Sequence, residues 1–348
     1  MTIYALLTDS HWGARGDHLG FLDYFEKFHN DIFFPTLEER GIKDIIHLGD
    51  LVDRRKYINY YTASRLRHVF LDRLVNYNCK IIAGNHDVYH KDTNHINALV
   101  ELVEGKAIVI TEPYQEGELL FLPWINRTNE KYATEMIENS NARFVFGHLQ
   151  LKGFEMHVGS VATDGLDVSL FTKFEGVYSG HFHHKSSRNN VYYLGAPYEI
   201  TWTDCSDLRG FHIFDDQTGE LEFIQNPYSM FHKVLYNDSN TTLDKIMNLD
   251  FSKFNKRYVK IILLKKENPY WFEKFFDEIE KSNPFDLQIV EDHLDLGIEE
   301  DPELLEQAKD TFSILKTYVG GMSGQINKPK LELLLKQIYD EANMVAES

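Results

Sequence analysis

Five short clusters carry side chains suited to metal chemistry: Asp9-x-His11, Gly49-Asp50-Leu51-Val52-Asp53, Gly84-Asn85-His86-Asp87, Gly147-His148 and Gly180-His181-Phe182-His183. They offer oxygen and imidazole donors and no thiolate, a set that suits Mn, Fe, Zn or a similar divalent ion. Together they hold too many donors for one ion and about the right number for two. Two ions ~3.5–4 Å apart clamp the attacking and leaving oxygens of an in-line displacement at phosphorus. Asp50, in a tight Gly-Asp turn, suits the bridging carboxylate, and Asn85 adds a neutral oxygen. His86 need not be a ligand, because a protonated imidazole there can donate to a phosphate oxygen or a leaving alkoxide. No cluster is specific alone, since Gly-Asp-x-x-Asp is often only a turn with a helix cap. The order of all five, each after an apolar run, is the signal. His47, His157, His212 and His232 lack such company and read as packing or surface residues.

The elements that must position these clusters follow from hydrophobic patterning. Residues 3–8, 42–48 and 80–83 read as buried strands. Between them, 20–40 reads as a helix interrupted near Pro35, and 60–76 as an amphipathic helix. Strands then crowd together at 107–111, 118–122, 143–147, 175–179, 190–194, 209–215 and 220–225. This order predicts a mixed two-sheet α/β sandwich, in which each cluster sits just past the carboxyl end of a strand, where ligands bind in open α/β sheets. Turn residues at 226–240 mark a boundary. Residues 258–264, 269–281 and 287–292 then read as strand, helix and strand of a small α+β unit. An acidic run at 291–310 precedes helices at about 300–319 and 329–345, split by Gly320-Gly321 and Ser323-Gly324. Leu331, Leu334, Leu335, Ile338 and Tyr339 recur at helical spacing, either packing on their own domain or facing a partner.

Composition narrows the function. The 348 residues include 36 basic and 54 acidic side chains, a net charge of −18, which excludes a globally basic nucleic-acid binder. Residues 291–310 alone hold nine Asp or Glu and one Lys. Any polyanion would have to be met locally, with Arg15, Arg54, Arg55, Lys56, Lys91, Arg127, Lys185 and Arg188 as candidates. Cys79 and Cys205, with no Cys-x-x-Cys, exclude a disulfide framework and a thiolate zinc site, and fit a reducing compartment. No apolar run reaches the ~18 residues of a membrane span, and the first residues read as a strand rather than a leader. A cytoplasmic protein is expected.

The flanks of the clusters extend the pattern: Asp9-Ser-His-Trp-Gly13, Asn85-His-Asp-Val-Tyr-His-Lys-Asp-Thr-Asn-His-Ile-Asn-Ala98, Leu122-Pro-Trp124, Gly147-His-Leu-Gln-Leu-Lys-Gly-Phe154, Tyr193-Leu-Gly-Ala-Pro197 and Arg209-Gly-Phe211. With them the chain resembles the calcineurin-like metallophosphoesterases. Among these it resembles the SbcD-type DNA repair nucleases, and especially bacteriophage recombination nuclease subunits that work with an SMC-like ABC ATPase. The resemblance covers residues 1 to about 236, and beyond that only the layout is shared. It implies a nuclease domain at 1–236, a capping domain at 237–296, and an acidic linker with ATPase-binding helices at 297–348. By position, Asp9, His11, Asp50 and His183 would hold one metal, and Asp50, Asn85, His148 and His181 the other. His86 would be the catalytic histidine and Asp53 would orient it, although some relatives have histidine at that second position. The resemblance further implies two divalent ions, Mn2+ before Mg2+, and a homodimer formed through 60–76. Its implied activities are 3′→5′ exonuclease on duplex DNA and endonuclease on single strands, in recombination and double-strand-break repair. Weak DNA binding by this chain alone is expected, with the ATPase supplying affinity. The alternatives are another metallophosphoesterase, acting on small phosphodiesters or phosphomonoesters, and a non-enzymatic scaffold, which would have lost ligands; none is lost here.

Overall fold

A computed structural model describes residues 2–157 and 160–290 of the chain. The expected acidic linker and C-terminal helices, 297–348, lie outside the described residues. Two six-stranded sheets dominate. In the first, Ile3–Leu7, Asp44–His47, Asn78–Ile82 and Ile108–Ile110 run parallel. Gly210–Asp215 pairs antiparallel with Ile3–Leu7, and Leu221–Gln225 pairs antiparallel with Gly210–Asp215. In the second, Val191–Tyr193, Gly176–Gly180, Phe144–His148 and Leu119–Leu122 are parallel, with antiparallel edge strands Ser186–Arg188 and Tyr114–Glu116. The inner strands read as continuous apolar runs because both of their faces are covered. Between the sheets Leu6, Ile46, Leu48, Phe121, Phe146 and Phe214 share one core, so the expected sandwich is present.

The outer face of the first sheet carries the helices. The interruption expected near Pro35 takes the form of a wide turn just before it. Leu19–Phe28 passes through a π-helical turn, His29–Phe33, before Phe34–Arg40. Pro35 follows it in the first turn of the last segment, and it has no N–H to give the carbonyl one turn back. His29 is buried at the wide turn and donates from Nδ1 to the Phe25 carbonyl. The 60–76 helix also divides, into an α-helix Tyr60–Val69 and a 3-10 helix Leu71–Asn76, at Phe70. Among the described residues no helix is long and apolar enough to cross a membrane.

The strand Phe231–Asn237 was not anticipated; it begins within the 226–240 stretch read as a boundary. It is the first strand of a separate three-stranded parallel sheet with Tyr258–Lys265 and Asp286–Val290, so the chain enters the small unit near residue 230. Pro269–Lys281 packs Phe275 and Ile279 against Tyr236, Val259 and Ile261. The unit is anchored to the core of the larger two-sheet part through Phe231 and Tyr258, whose rings lie 5.9 and 5.5 Å from Phe21.

Glu199 holds the crossing point. Its buried carboxylate accepts from the Met230 and Phe231 amides, at 2.5 and 2.9 Å. Burial pushes its pKa up to about 7, against the pull of those amides and of Arg209. A carboxyl with a raised folded-state pKa contributes stability below its unfolded pKa and loses it as pH rises through the folded value. The window here runs from the ordinary glutamate range to about 7. Glu199→Gln keeps an acceptor without the charge. Its stability relative to the parent is expected to rise by about 3 kcal/mol between pH 5 and pH 8. Urea unfolding of both proteins at the two pH values checks this, and a pH-independent difference would count against it.

Candidate metal centre

The five clusters meet at the carboxyl edges of the two sheets. Strand pairing continues past the strand ends: Asp9 N donates to Gly49 O and His11 N to Asp50 O, each at 3.0 Å, which laces the first two loops together. In the second sheet Gly180 lies opposite His148, so both histidine-bearing loops leave at one level. His181 N then reaches Asp9 Oδ1 at 3.1 Å, joining the sheets. The approach is close enough to demand glycine. A Cβ on Gly84 would overlap Asp50 Oδ1, and one on Gly180 would overlap Thr8 Oγ1. Asp9, His11, Asp50 and His181 all have positive φ, the kind of backbone strain that persists where surrounding contacts over-determine it.

Three sets of donors gather here: Asp9 with His11 and His183, Asp50 with His148 and His181, and His11 with Asp53 and His86. In the first, His11 Nε2 lies 3.0 Å from His183 Nε2. In the second, Asn85 Oδ1 lies 2.8 Å from His148 Nε2 and 2.9 Å from His181 Nδ1. Asp50 stands between them, with Oδ2 3.2 Å from His148 Nε2 and 3.7 Å from His11 Nε2. That oxygen is buried and makes no hydrogen bond.

These contacts fit divalent ions. His148 faces the Leu48 carbonyl with Nδ1 at 2.8 Å, so that nitrogen carries the proton and Nε2 presents a lone pair to Asn85 Oδ1. His11 Nδ1 lies 3.4 Å from Asp53 Oδ1, which fixes its tautomer in the same sense. Lone pairs set this close need a proton or a cation between them. Two nitrogens each ~2.1 Å from one ion at a right angle sit ~3 Å apart, the spacing of His11 and His183. Without a cation, protons take its place. Burial opposes a charged His148, but Asp50 outweighs it and the pKa rises to about 9. Burial likewise opposes ionised Asp50, yet the surrounding imidazoles hold its pKa well below the ordinary value. Metal binding should therefore expel protons.

Every site residue read from the sequence lies in this cluster, and two details add to the expectation. The Asp53 carboxylate lies 3.4 Å from His11 Nδ1 and shares a donor set with both His11 and His86, while the Asp53 carbonyl meets His86 Nδ1 at 2.5 Å. His47, read as packing, supports the first loop: its Nε2 lies 2.8 Å from Ser10 Oγ, between Asp9 and His11, and Gly49 N donates to its Nδ1 at 3.3 Å. Burial lowers its pKa to about 3, so it stays neutral there.

Sequence reasoning also left Asp87 and Arg209 without roles. Asp87 lies within a named cluster, and its four amide bonds tie two ligand loops together. Arg209 is buried and donates to the His183 carbonyl, and its Nη2 reaches Asp204 Oδ1 at 2.8 Å and Asp207 Oδ2 at 2.9 Å. It thus grips the main chain of a candidate ligand from 26 residues away. Only the Arg209-Gly-Phe211 resemblance pointed to it. Arg209→Met strands the buried Asp204 charge and is expected to cost ~3–5 kcal/mol of stability, as measured by chemical denaturation. Arg209→Lys is expected to recover part of that loss.

No family model matches the chain. A solved archaeal phosphodiesterase structure aligns with 65% of this chain and all of its own, at 13% identity and a TM-score of 0.31. Exonuclease subunit 1 of Enterobacteria phage T4 is 29% identical over 349 aligned positions, covering 97% of this chain and 98% of that protein. Similarity to a bacteriophage exonuclease subunit therefore extends through nearly the whole chain, beyond the stretch that holds the five clusters.

Proposed function

We propose that the protein is a metal-dependent phosphodiester hydrolase that cuts DNA. The observation that carries this reading is the Asp50 carboxylate standing between two imidazole-bearing donor sets at the meeting point of the sheets. Asp9, His11, Asp50 and His183 would hold one divalent ion, and Asp50, Asn85, His148 and His181 the other. When bound, such ions supply Lewis acidity and a nucleophile at neutral pH. The chain's own residues do the rest. His148 is oriented by the Leu48 carbonyl and His11 by Asp53. The Asp53 carbonyl fixes the His86 ring through Nδ1, and the main-chain N–H of His86 donates to Asp50 Oδ1 at 2.8 Å. Nε2 of His86 is then the nitrogen able to give a proton to a phosphate oxygen or departing alkoxide.

The finer reading is a 3′→5′ exonuclease on duplex ends and an endonuclease on single strands, using Mn2+, in recombination and break repair. Its support is the motif resemblance together with the exonuclease relative. That relative is named as a subunit, which supports a partner for this chain as well. An SMC-like ATPase bound through 297–348, and a homodimer through 60–76, are the forms the resemblance implies. A bacterial host's cytoplasm is the expected setting.

The test is cleavage of end-labelled single- and double-stranded DNA with Mn2+, with and without chelator. His86→Ala is expected to cut ~10²–10⁴-fold more slowly while retaining metal. Cleavage that survives chelation, or an unimpaired His86→Ala, would sink the reading. Hydrolysis of a small diester without DNA cleavage would keep the metal site and remove the DNA assignment.

A further inference from the structure

We propose that Tyr57 and Tyr89, with Lys56 and Arg54 beside them, form a stacking platform for the unpaired bases of the strand whose phosphate enters the metal centre. This rests on the phosphodiesterase reading above and adds the nucleic-acid form that the surface takes. Single exposed aromatic rings are ordinary, so the argument lies in position and company. Tyr57 is 64% exposed and Tyr89 38% exposed. Both belong to segments that form the site. Tyr89 follows His86 by three residues, at most ~11 Å of chain, and opens the hairpin Val88–His90/Thr93–Asn97. Tyr57 lies in the loop after Asp53, which is pinned to the site where Arg55 Nε donates to Asn85 O at 2.7 Å.

Each ring has a cation beside it. The Arg54 guanidinium lies 5.0 Å from the Tyr57 ring centre, and the Lys56 ammonium lies 5.9 Å from that of Tyr89. Arg54 is braced by Asp17 at 2.8 Å, while Lys56 extends into solvent. Arg54-Arg55-Lys56 is the longest basic run in a chain of net charge −18. A polyanion repelled by most of this molecule meets attraction here. The aromatic surface continues inward. Trp124 donates from Nε1 to Lys91 O on the hairpin at 3.3 Å, and its ring lies 5.2 Å from that of His181. Rings alternating with cations along a groove suit unpaired bases and the phosphates between them. A duplex keeps its base faces stacked and shows only edges and backbone, so it has little use for exposed tyrosine faces.

The test uses the full chain, its Tyr57→Ala/Tyr89→Ala and Tyr57→Phe/Tyr89→Phe variants, a 2-aminopurine-labelled single strand, a blunt duplex and bis(p-nitrophenyl) phosphate. The alanine pair is expected to weaken single-strand binding, read by 2-aminopurine quenching, by about 10-fold or more. KM for the single strand should rise in step. Hydrolysis of bis(p-nitrophenyl) phosphate should be unchanged, binding of the blunt duplex should change less than about threefold, and the phenylalanine pair should behave as the parent. Four results would overturn the proposal: unaltered quenching in the alanine pair, equal losses on duplex and single strand, failure of the phenylalanine pair, or a change in oligomeric state by light scattering. The last would assign the patch, with the 94%-exposed Tyr60 next to it, to contact between copies of this chain. A parent protein that cuts neither DNA nor the small diester would remove the phosphodiesterase reading, while quenching would still decide the platform.

Discussion

Asp50→Ala is expected to lower phosphodiester hydrolysis by ~10³-fold or more, since removing the proposed shared ligand would forfeit several kcal/mol of charge stabilisation. Its Oδ2 lies between His11 of one donor set and His148 of the other. Its Oδ1 also accepts from His86 N, so the alanine releases the loop that carries the candidate acid. Asp50→Asn separates the two roles. It retains an oxygen near the His86 amide but loses the negative charge that offsets two dications. The expected result is near-parent folding by circular dichroism, with sub-stoichiometric Mn2+ by elemental analysis and activity close to that of alanine. If Asp50→Asn kept two ions and most of the rate, the bridging role would be wrong.

Asp87→Ala is expected to be strongly destabilising. The Asp87 carboxylate is wholly buried and accepts from four amides: Asp50 N at 2.8 Å, Leu51 N and Gly84 N at 2.9 Å, and Val52 N at 3.2 Å. It is the clip between the loop carrying Asp50 and the loop carrying Asn85 and His86. Each buried amide left without a partner costs ~1–3 kcal/mol, and the four will not add fully because the loops can relax. A loss of ~3–5 kcal/mol in urea unfolding is expected, with activity falling as the ligand loops part. Asp87→Asn should recover little, because its amide group turns donors toward donors. Burial and the Asp50 charge push the Asp87 carboxyl up to about 7, against the Gly84 and Val52 amides. A cation on Asp50 removes the second of those pushes, so added Mn2+ should stabilise the parent and leave Asp87→Ala largely unmoved.

The donor set was readable because the signal is local. A run of apolar residues followed at once by Asp-x-His, Gly-Asp, Gly-Asn-His or Gly-His can be seen without knowing the fold. Strand, turn and ligand are neighbours in the chain, and the chemistry restricts which residue types will serve. The same locality gave the Pro269–Lys281 helix its limits, since Pro starts it and Ser282-Asn283 follows it. Local signals failed where the deciding contacts are distant. Phe231–Asn237 alternates weakly, and it is a strand because Tyr258–Lys265 lies beside it. The interruption near Pro35 was legible, but its form, a π-helical turn at His29–Phe33 around a buried His29, is one the sequence does not mark.

The sequence by itself determined which donors the protein owns, their order, and that each leaves the end of a strand. Only the tertiary structure decided which donors share a site and which atom of each does what. His181 meets Asp9 across 172 residues, and Asn85 meets His181 across 96. Asp53 turns its carboxylate to His11 and its carbonyl to His86, and Arg209 takes hold of the His183 main chain. Residue type sets what an atom can bind, and that is written along the chain. Which partner stands within 3 Å depends on sheet register and on loops brought together by a buried core, and no short stretch of sequence encodes that.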